Sequence, residues 1–370
     1  MRILILNYRD IKHPLAGGAE VHLHRIFGRI ASWGHSVRLV TTSFPGAPEQ
    51  ETIDGIEVLR LGRGLLFQWL LTRRLSTIIQ EFNPDVLVED VNKRPFFTVF
   101  FNKIPKLIQI HKLWGFSIFH EASFPIAFLI WAQEHLLGIA YKGNTFAAVS
   151  PSTVSELEAL GIPSRDIHLV YNGSEQDWGD LELQREKGTY FLWLGLLSKY
   201  KGVWVALHAF RKVAAKLPEI KLVFAGAGPE EKSMRAAVTK WGLQDRVEIR
   251  GRVSAEEKRD LLRGALALIQ SSFKEGWGLT VIEAGICGTL SIASRVPGLR
   301  DSVRDGETGI LFTAGESSEL AGQMIRVVNN PDERRGMEAG ARAFAMGFSW
   351  EKSAAQTLEI LQSIQSGKKS

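Results

Sequence analysis

The sequence has little of several residue patterns that would define its class. It contains one cysteine, Cys287, so it can form no intrachain disulfide and no cysteine cluster for a metal, which suits a reducing cytoplasm. We interpret Cys287 as a small buried hydrophobic residue. The sequence shows no Asp-x-Asp metal motif, and the histidines other than His111 lack the spacing of metal ligands. We therefore expect no catalytic metal and no cofactor.

Long apolar runs are also missing. The longest, Phe124 to Ala132, contains Pro125 and is far shorter than the roughly 18 residues needed to cross a bilayer. The run Ile3 to Leu6 is too short for the core of a signal peptide, so we interpret it as part of a first strand. We expect a cytoplasmic protein without a membrane span or an export signal.

The charge is positive but dispersed. A formal net charge of +5 favours anionic partners such as nucleotide phosphates or acidic lipid headgroups. The basic residues are scattered along the chain, and no nucleic-acid-binding fingerprint is present. We therefore expect no nucleic-acid partner.

Short β-branched runs alternate with segments of helical periodicity along almost the whole chain, which is typical of α/β domains with a parallel, doubly wound sheet. A polar stretch, residues 174–188, predicts a linker between domains at residues 1–173 and 189–348. Residues 349–366 predict a final amphipathic helix capped by Ser349. The predicted strands are Arg2 to Leu6, Ser36 to Thr41, Asp85 to Glu89, Lys106 to Ile110, Thr145 to Val149, Tyr190 to Leu194, Lys221 to Ala225, Val247 to Ile249, Ala265 to Ile269 and Leu290 to Ala293.

The strongest candidate motif is the segment from Glu275 to Glu283, which follows a predicted strand and enters a helix. Ligands of α/β domains bind beyond the carboxyl ends of the strands, where helix N-termini attract phosphate. Gly276 and Gly278 would let the backbone approach a diphosphate, while the two carboxylates accept hydrogen bonds from sugar or ribose hydroxyls. The alternative is a glycine turn that opens a helix, with both glutamates solvated.

As a whole, residues 271–311 resemble the C-terminal signature of the retaining glycosyltransferases of family 4, and the resemblance extends over nearly the whole chain. It implies an α/β structure of the GT-B fold, with two Rossmann-like doubly wound domains facing a central cleft and residues 349–366 packed back onto the first domain. Glu275 would contact the donor sugar and Glu283 the nucleotide ribose. Other residues in register are Gly285, Gly288, Pro297, Gly298, Leu299, Asp301, Asp305, Gly306, Thr308 and Gly309.

Further donor-side residues follow from the same resemblance. Lys201 matches a lysine that, together with an arginine, clamps the donor diphosphate, whereas Leu196 occupies the arginine position. Either Lys199 compensates, or donor binding is weaker or different. The remaining residues that the resemblance places at the donor are Gly17, Gly18, Gly228, Arg252, Val253, Gly276, Trp277, Gly278 and Leu279.

Two of these segments also have a simpler interpretation. Gly228 belongs to a glycine turn after a strand, but a dinucleotide fingerprint would need a third glycine where Glu231 stands. Arg252 and Val253 match a segment whose backbone reads the nucleobase, and they also precede Ser254, which predicts a helix cap.

In the N-terminal half, Gly17, Gly18 and Glu20 follow the first strand and resemble the loop that approaches the donor phosphates and the acceptor. His111 matches the histidine at the sugar-transfer centre, and Trp114 occupies a position on the acceptor side. A lone histidine at a strand end is otherwise more often a structural hydrogen bonder.

The resemblance implies transfer of a hexose-type sugar from a UDP-, GDP- or ADP-sugar to a glycan or lipid-linked acceptor, with retention of configuration and without a metal. His111 and Glu275 would position the sugar, and Lys201 would stabilise the leaving group. A nucleotide-sugar epimerase of the same architecture is the rival enzyme, and a dehydrogenase is disfavoured by the broken glycine fingerprint. Leu196 favours a third alternative, a non-catalytic nucleotide-sugar-binding module.

Residues 63–137 are rich in aromatic and interspersed basic residues. Such a surface could lie on the anionic inner face of a membrane and receive a lipid-linked acceptor. The alternative is a bulky core under the first sheet.

Overall fold

The computed structural model describes residues 1–92, 94–121, 123–175, 178 and 187–367. Most of the predicted linker, residues 174–188, lies outside the described residues. The chain divides into two compact units. Unit 1 comprises Met1–Gly173 and Trp350–Ser370, and unit 2 comprises Ser174–Ser349.

The strands and helices alternate in both units. The strands are β1 (Arg2–Leu6), β2 (Ser36–Thr41), β3 (Gln50–Ile53), β4 (Ile56–Arg60), β5 (Val86–Val91), β6 (Lys106–Ile110), β7 (Thr145–Ala148), β8 (Ile167–Leu169), β9 (Tyr190–Leu194), β10 (Lys221–Ala225), β11 (Val247–Gly251), β12 (Leu268–Gln270), β13 (Ser291–Ser294) and β14 (Gly309–Phe312). The helices are α1 (Gly18–Ser32), α2 (Leu65–Phe82), α3 (Phe124–Ala140), α4 (Pro151–Ala159), α5 (Val203–Ala214), α6 (Glu231–Lys240), α7 (Ala255–Gly264), α8 (Leu279–Ile286), α9 (Leu299–Ser302), α10 (Ser317–Asn329), α11 (Pro331–Ala345) and α12 (Trp350–Gln365).

Unit 1 is built on an eight-stranded sheet of order β3-β4-β2-β1-β5-β6-β7-β8. Neighbouring strands are parallel except for β3 and β4, which form an antiparallel hairpin at one edge. Asp54 and Gly55 turn this hairpin with positive φ angles of 51° and 78°, which suits a two-residue turn. The central strands are buried, as expected for a parallel sheet covered on both faces.

The C-terminal helix α12 belongs to unit 1, where it packs against α1 and alongside β5 and β6. Its first residue, Trp350, is buried. The hydroxyl of Ser353 donates a hydrogen bond to the carbonyl of Tyr171 at 2.6 Å. The end of the chain therefore completes the unit that the beginning of the chain forms.

Unit 2 is built on a six-stranded parallel sheet of order β11-β10-β9-β12-β13-β14. Its order reverses direction along the sequence between β9 and β12, and this is where ligands of doubly wound domains bind. Its core includes the apolar face of α5, with Leu207, Phe210 and Val213 all buried.

Several boundaries differ from the sequence-based prediction. The strand expected from Ala265 to Ile269 is shifted, because Ala265 ends α7 by donating its N–H to the carbonyl of Leu261 at 3.1 Å. Strand β5 extends beyond Glu89 to Val91. Within the described part of the chain, no helix combines the length and the apolar character that crossing a bilayer requires.

Candidate active site

Lys201 and Glu275 meet at the carboxyl edge of the unit 2 sheet. Lys201 ends the loop after β9 and Glu275 lies in the loop after β12, and these strands are paired neighbours. The two side chains are largely buried, and Lys201 Nζ lies 2.5 Å from Glu275 Oε1. Burial alone would lower the pKa of Lys201, but the Glu275 carboxylate and Tyr200 outweigh it and raise the pKa. The ammonium therefore stays charged at neutral pH.

A glycine fixes the backbone beside this ion pair. Gly202 has a φ of +68°, and a Cβ atom there would lie 1.9 Å from the carbonyl oxygen of Ser271. The Ser271 hydroxyl donates to the Gly202 carbonyl at 2.7 Å. The loops after β9 and β12 are thus in direct backbone contact, and this contact sets the spacing of Lys201 and Glu275.

Glu283 forms a second carboxylate–lysine pair in unit 2. The residue lies within α8 and is buried, and its Oε1 atom accepts a hydrogen bond from Lys258 Nζ at 2.6 Å. Its Oε2 atom is also buried and has no hydrogen-bond partner among the described residues. A buried acceptor without a partner is costly, so Oε2 is a ready site for a ligand hydroxyl.

The glycine segment between the glutamates shapes the entry to α8. Gly278 has a φ of +91° at the N-terminus of the helix. A Cβ atom on Gly298 would lie 2.6 Å from the Glu275 carbonyl, so the turn at Gly298 packs directly on this segment. The Trp277 side chain is buried edge-on against Phe348, with ring centroids 5.1 Å apart. Trp277 can therefore offer a ligand its backbone but not an exposed ring.

The other donor-side residues lie around the same edge. A Cβ atom on Gly228 would lie 2.3 Å from the Leu197 carbonyl, so close backbone packing is itself a sufficient reason for this glycine. Arg252 is exposed and Val253 half-buried after β11. Ser254 caps α7 as predicted, its hydroxyl accepting from Glu257 N–H at 3.1 Å.

Leu196 and Lys199 are both exposed in the loop after β9, and Leu196 has 41% of its surface accessible. In the parts of the chain that the structure describes, the Lys199 ammonium is not engaged in an ion pair. Leu196 leaves the loop without a second fixed cation beside Lys201.

In unit 1, Asp90 and His111 meet at the carboxyl ends of paired strands β5 and β6. His111 Nε2 lies 2.8 Å from Asp90 Oδ1, and the carboxylate is almost fully buried. The His22 ring packs edge-on against His111, with centroids 4.7 Å apart. Burial, and next the charge of His111, lowers the pKa of His22 to about 3, so His22 is neutral.

Sequence reasoning did not identify Asp90 or His22. The signal for Asp90 was present, because two consecutive acids, Glu89 and Asp90, stand in an otherwise apolar strand. When the strand is buried, the carboxylates of such acids need hydrogen-bond donors. Glu89 finds them in the backbone N–H groups of Phe96 and Phe97, and Asp90 finds His111.

A hydrogen bond to its own helix fixes the loop at Gly17 and Gly18. Gly17 precedes α1, and its N–H donates to Glu20 Oε2 at 2.7 Å. Glu20 Oε1 accepts from Asn92 Nδ2 at 2.7 Å, and burial raises the pKa of Glu20. The Glu20 carboxylate therefore shapes the loop, and its contact with an acceptor remains a prediction.

Trp114 is tied to α3. Its N–H and that of Gly115 donate to the buried carboxylate of Glu134 at 2.6 and 2.9 Å. The Lys112 ammonium lies 3.8 Å from the centre of the Trp114 indole. The loop that carries His111 and Trp114 is thus anchored to the helix that follows it.

The candidate residues form two groups, one in each unit. Among the described residues, no cluster of three or more His, Cys, Asp or Glu side chains is arranged to hold a metal ion. Unit 1 holds Gly17, Gly18, Glu20, His111 and Trp114, and unit 2 holds Lys199, Lys201, Gly228, Arg252, Val253, Glu275, Gly276, Trp277, Gly278, Leu279 and Glu283.

Comparison with known families identifies the chain. The model described as "Glycosyltransferase Family 4" matches residues 16–177, and the model described as "Glycosyl transferases group 1" matches residues 177–344. The chain belongs to glycosyltransferase family 4. This confirms the family that the sequence motifs resemble.

Family 4 relatives match over part of their length. D-inositol 3-phosphate glycosyltransferase of Arthrobacter sp. (strain FB24) is 30% identical over 46% of this chain and 41% of that protein. N-acetyl-alpha-D-glucosaminyl L-malate synthase of Bacillus anthracis is 28% identical over 54% of each. The chain therefore spans about half the length of these relatives.

Solved structures establish the fold of this family 4 chain. Sucrose-phosphate synthase from Thermosynechococcus elongatus superposes with a TM-score of 0.83 at 19% identity, covering 99% of both chains. Anabaena HepE, in complex with UDP-glucose, gives 0.79 at 18% identity, covering 98% of this chain and 99% of that one. The likeness confirms the predicted α/β architecture of GT-B type.

Proposed function

We propose that this family 4 protein transfers a hexose-type sugar, with retention of configuration and without a metal, from a nucleotide-sugar to a glycan or lipid-linked acceptor. The observation that carries the proposal is the pair of buried carboxylate–lysine contacts at the carboxyl edge of the unit 2 sheet, Lys201 with Glu275 and Lys258 with Glu283. Because HepE is described in complex with UDP-glucose, a UDP-hexose is the first donor to test.

Lys201 is suited to a departing diphosphate. In the proposed reaction the bond from the anomeric carbon to the diphosphate oxygen breaks, and a bond to the acceptor oxygen forms on the same face of the sugar. The acceptor proton passes to a phosphate oxygen of the leaving group, so no protein nucleophile is needed. A charged ammonium at this position stabilises the negative charge that develops as the bond breaks.

Glu275 and Glu283 would accept hydrogen bonds from the sugar and from the ribose of the donor, respectively. Glu275 is already oriented by Lys201 and by the Ser272 hydroxyl, which donates to its Oε1 atom at 2.9 Å, and it would accept hydrogen bonds from the sugar. Glu283 Oε2 is buried without a partner among the described residues and would accept a ribose hydroxyl. Binding would then satisfy an acceptor that is otherwise unpaired.

Asp90 orients the His111 ring that would meet the sugar. A ring that donates its Nε2 hydrogen to Asp90 presents Nδ1, as an acceptor when neutral and as a donor when protonated. Asp90 is therefore a positioning residue for His111 in the proposed reaction.

Leu196 supports a second candidate function, binding of a nucleotide-sugar without turnover. A cation contact to phosphate contributes roughly 1.5–3 kcal/mol, and the leucine supplies none. The exposed Lys199 lies three residues further along the same loop and would supply the missing charge if the protein is an enzyme.

Calorimetric binding of UDP-, GDP- and ADP-sugars tests the proposal, with release of the nucleotide as the measure of turnover. We expect one nucleotide class to bind, roughly tenfold or more weaker in Lys201→Met and Glu283→Gln, and unchanged in the exposed control Lys240→Met.

Leu196→Arg separates the two candidates. In an enzyme with a deficient clamp it should tighten donor binding and speed nucleotide release. Tight binding of a donor by the wild type with no release, with or without acceptors, would favour the binding module. Binding that survives both Lys201→Met and Glu283→Gln would refute the assignment of the site.

A further inference from the structure

Five aromatic side chains form a closed cluster on the surface of unit 1, which we call the aromatic ridge. It consists of Phe116, Phe119, Phe124, Phe128 and Trp131, and the centroids of neighbouring rings lie 5.8 to 6.4 Å apart. Phe116, Phe124 and Phe128 expose 76%, 72% and 51% of their surface. Aromatic rings normally cluster in a core, and an exposed apolar patch of this kind is typical of an interaction surface.

Helix α3 extends the ridge as a strip of aliphatic side chains. Ile126, Leu129, Leu136 and Ile139 are all exposed along it. The charged carboxylate on this helix, Glu134, is turned inward and buried. A helix that is apolar on its exposed face lies against another apolar phase.

We propose that the aromatic ridge and the exposed face of α3 lie in the interfacial layer of an anionic lipid bilayer. The helix has 17 residues and is about 25 Å long, shorter than the roughly 30 Å apolar core of a bilayer. Exposed phenylalanine and a tryptophan beside lysine and arginine are typical of segments that lie flat at this depth.

Charge selects the bilayer over other apolar partners. Among the described residues of the range 91–142, the basic side chains that reach the surface are Arg94, Lys103, Lys112 and Lys142, whereas the acids are Glu121 and the buried Glu134. The ridge is thus flanked by an excess of positive charge, which complements anionic headgroups. The same charge would repel a second copy placed face to face.

Hydrogen bonds connect the helix that carries the ridge to the loop of the candidate acceptor residues. Glu134 of α3 accepts the N–H groups of Trp114 and Gly115, three and four residues after His111. A bilayer beneath α3 would therefore place this loop at the level of the headgroups. This step rests on the proposed function and selects the lipid-linked class of acceptor.

Co-sedimentation of the full chain with vesicles tests the docking surface without any donor or acceptor. We expect binding to phosphatidylcholine vesicles that contain phosphatidylglycerol, weakened by salt and by Lys103→Gln with Lys142→Gln. A triple variant, Phe116→Ser with Phe124→Ser and Phe128→Ser, should bind roughly tenfold more weakly for each ring lost.

A matched control changes exposed apolar residues of unit 2, Phe273→Ser with Met346→Ser, and should bind vesicles like the wild type. Circular dichroism and the thermal midpoint must match across all variants. No vesicle binding by the wild type, or equal binding by the triple variant, overturns the proposal. A dimer in solution that the triple variant abolishes overturns it in favour of a second copy.

Donor binding by calorimetry separates this proposal from the proposed function. We expect the triple variant to keep wild-type donor affinity, because Lys201, Glu275 and Glu283 belong to unit 2. Vesicle binding with no donor binding would leave the docking surface standing and remove the proposed function. Donor binding with no vesicle binding would remove the docking surface and leave the proposed function standing.

Discussion

Gly202→Ala tests how the Lys201–Glu275 pair is built. Gly202 has a φ of +68°, and an alanine Cβ would lie 1.9 Å from the Ser271 carbonyl oxygen. Gly242, in the same unit, has nearly the same φ of +66°, but nothing lies within 4 Å of a Cβ built there. The two substitutions therefore share the conformational cost and differ in the steric cost.

The expected magnitudes follow from these two terms. A left-handed conformation costs an alanine about 1–2 kcal/mol, so Gly242→Ala should lower the free energy of unfolding of unit 2 by that amount. The overlap at Gly202 is with backbone and cannot be relieved by a side-chain rotation. Forcing such an overlap adds about 1–3 kcal/mol. We therefore expect a loss of about 2–5 kcal/mol for Gly202→Ala.

Urea unfolding followed by hydrogen exchange in peptides of β9 to β12 measures the two variants in unit 2 alone. Gly202→Ala should also weaken donor binding, because relief of the overlap must separate the loops that carry Lys201 and Glu275. If Gly202→Ala costs no more than Gly242→Ala, the proposed backbone contact does not hold the pair together.

Three further predictions concern single side chains. Asp90→Asn should lower kcat roughly 10- to 100-fold and leave the KM for donor unchanged, because it removes a charged acceptor from His111; an unchanged kcat in steady-state assays would contradict this. The pKa of His22 in the native protein is about 3, so below about pH 6.5 His22 binds a proton in the unfolded chain but not in the native one. The free energy of unfolding therefore decreases as the pH is lowered. Urea unfolding measures this: between about pH 6.5 and 3 the free energy of unfolding of the wild type should decrease by up to about 1.4 kcal/mol per pH unit more than that of His22→Gln. Equal pH dependence of the two proteins would refute the lowered pKa of His22. Burial raises the pKa of Cys287 to about 12, so iodoacetamide at mildly alkaline pH should label it only after unfolding, as mass spectrometry can show.

The buried strands of the two sheets could be predicted closely from the sequence. Strands β1, β2, β6, β9 and β10 begin and end at the predicted residues, because each is a short run rich in the apolar residues that a parallel sheet buries. The hairpin of β3 and β4 was missed. Its strands are short and partly polar, and only the turn at Asp54 and Gly55 offers a local signal.

The candidate residues could be named from the sequence, but the contacts among them could not. Lys201 and Glu275 are 74 residues apart, and they meet because β9 and β12 are neighbours across the point where the strand order reverses. No local periodicity specifies that pairing. For the same reason Lys258 was not predicted as the partner of Glu283, nor Asp90 as that of His111.

Because α12 packs onto unit 1, the two units can complete their folds at different times during translation. Unit 2 is one continuous stretch and can fold as soon as residue 349 has emerged. Unit 1 lacks Trp350 and the rest of α12 until that helix is made, which at common elongation rates is a delay of roughly 10 to 40 s. During that interval the face of α1 that α12 will cover is open to water and to chaperones. Of the two units, the one whose translation begins first is thus the later to become complete.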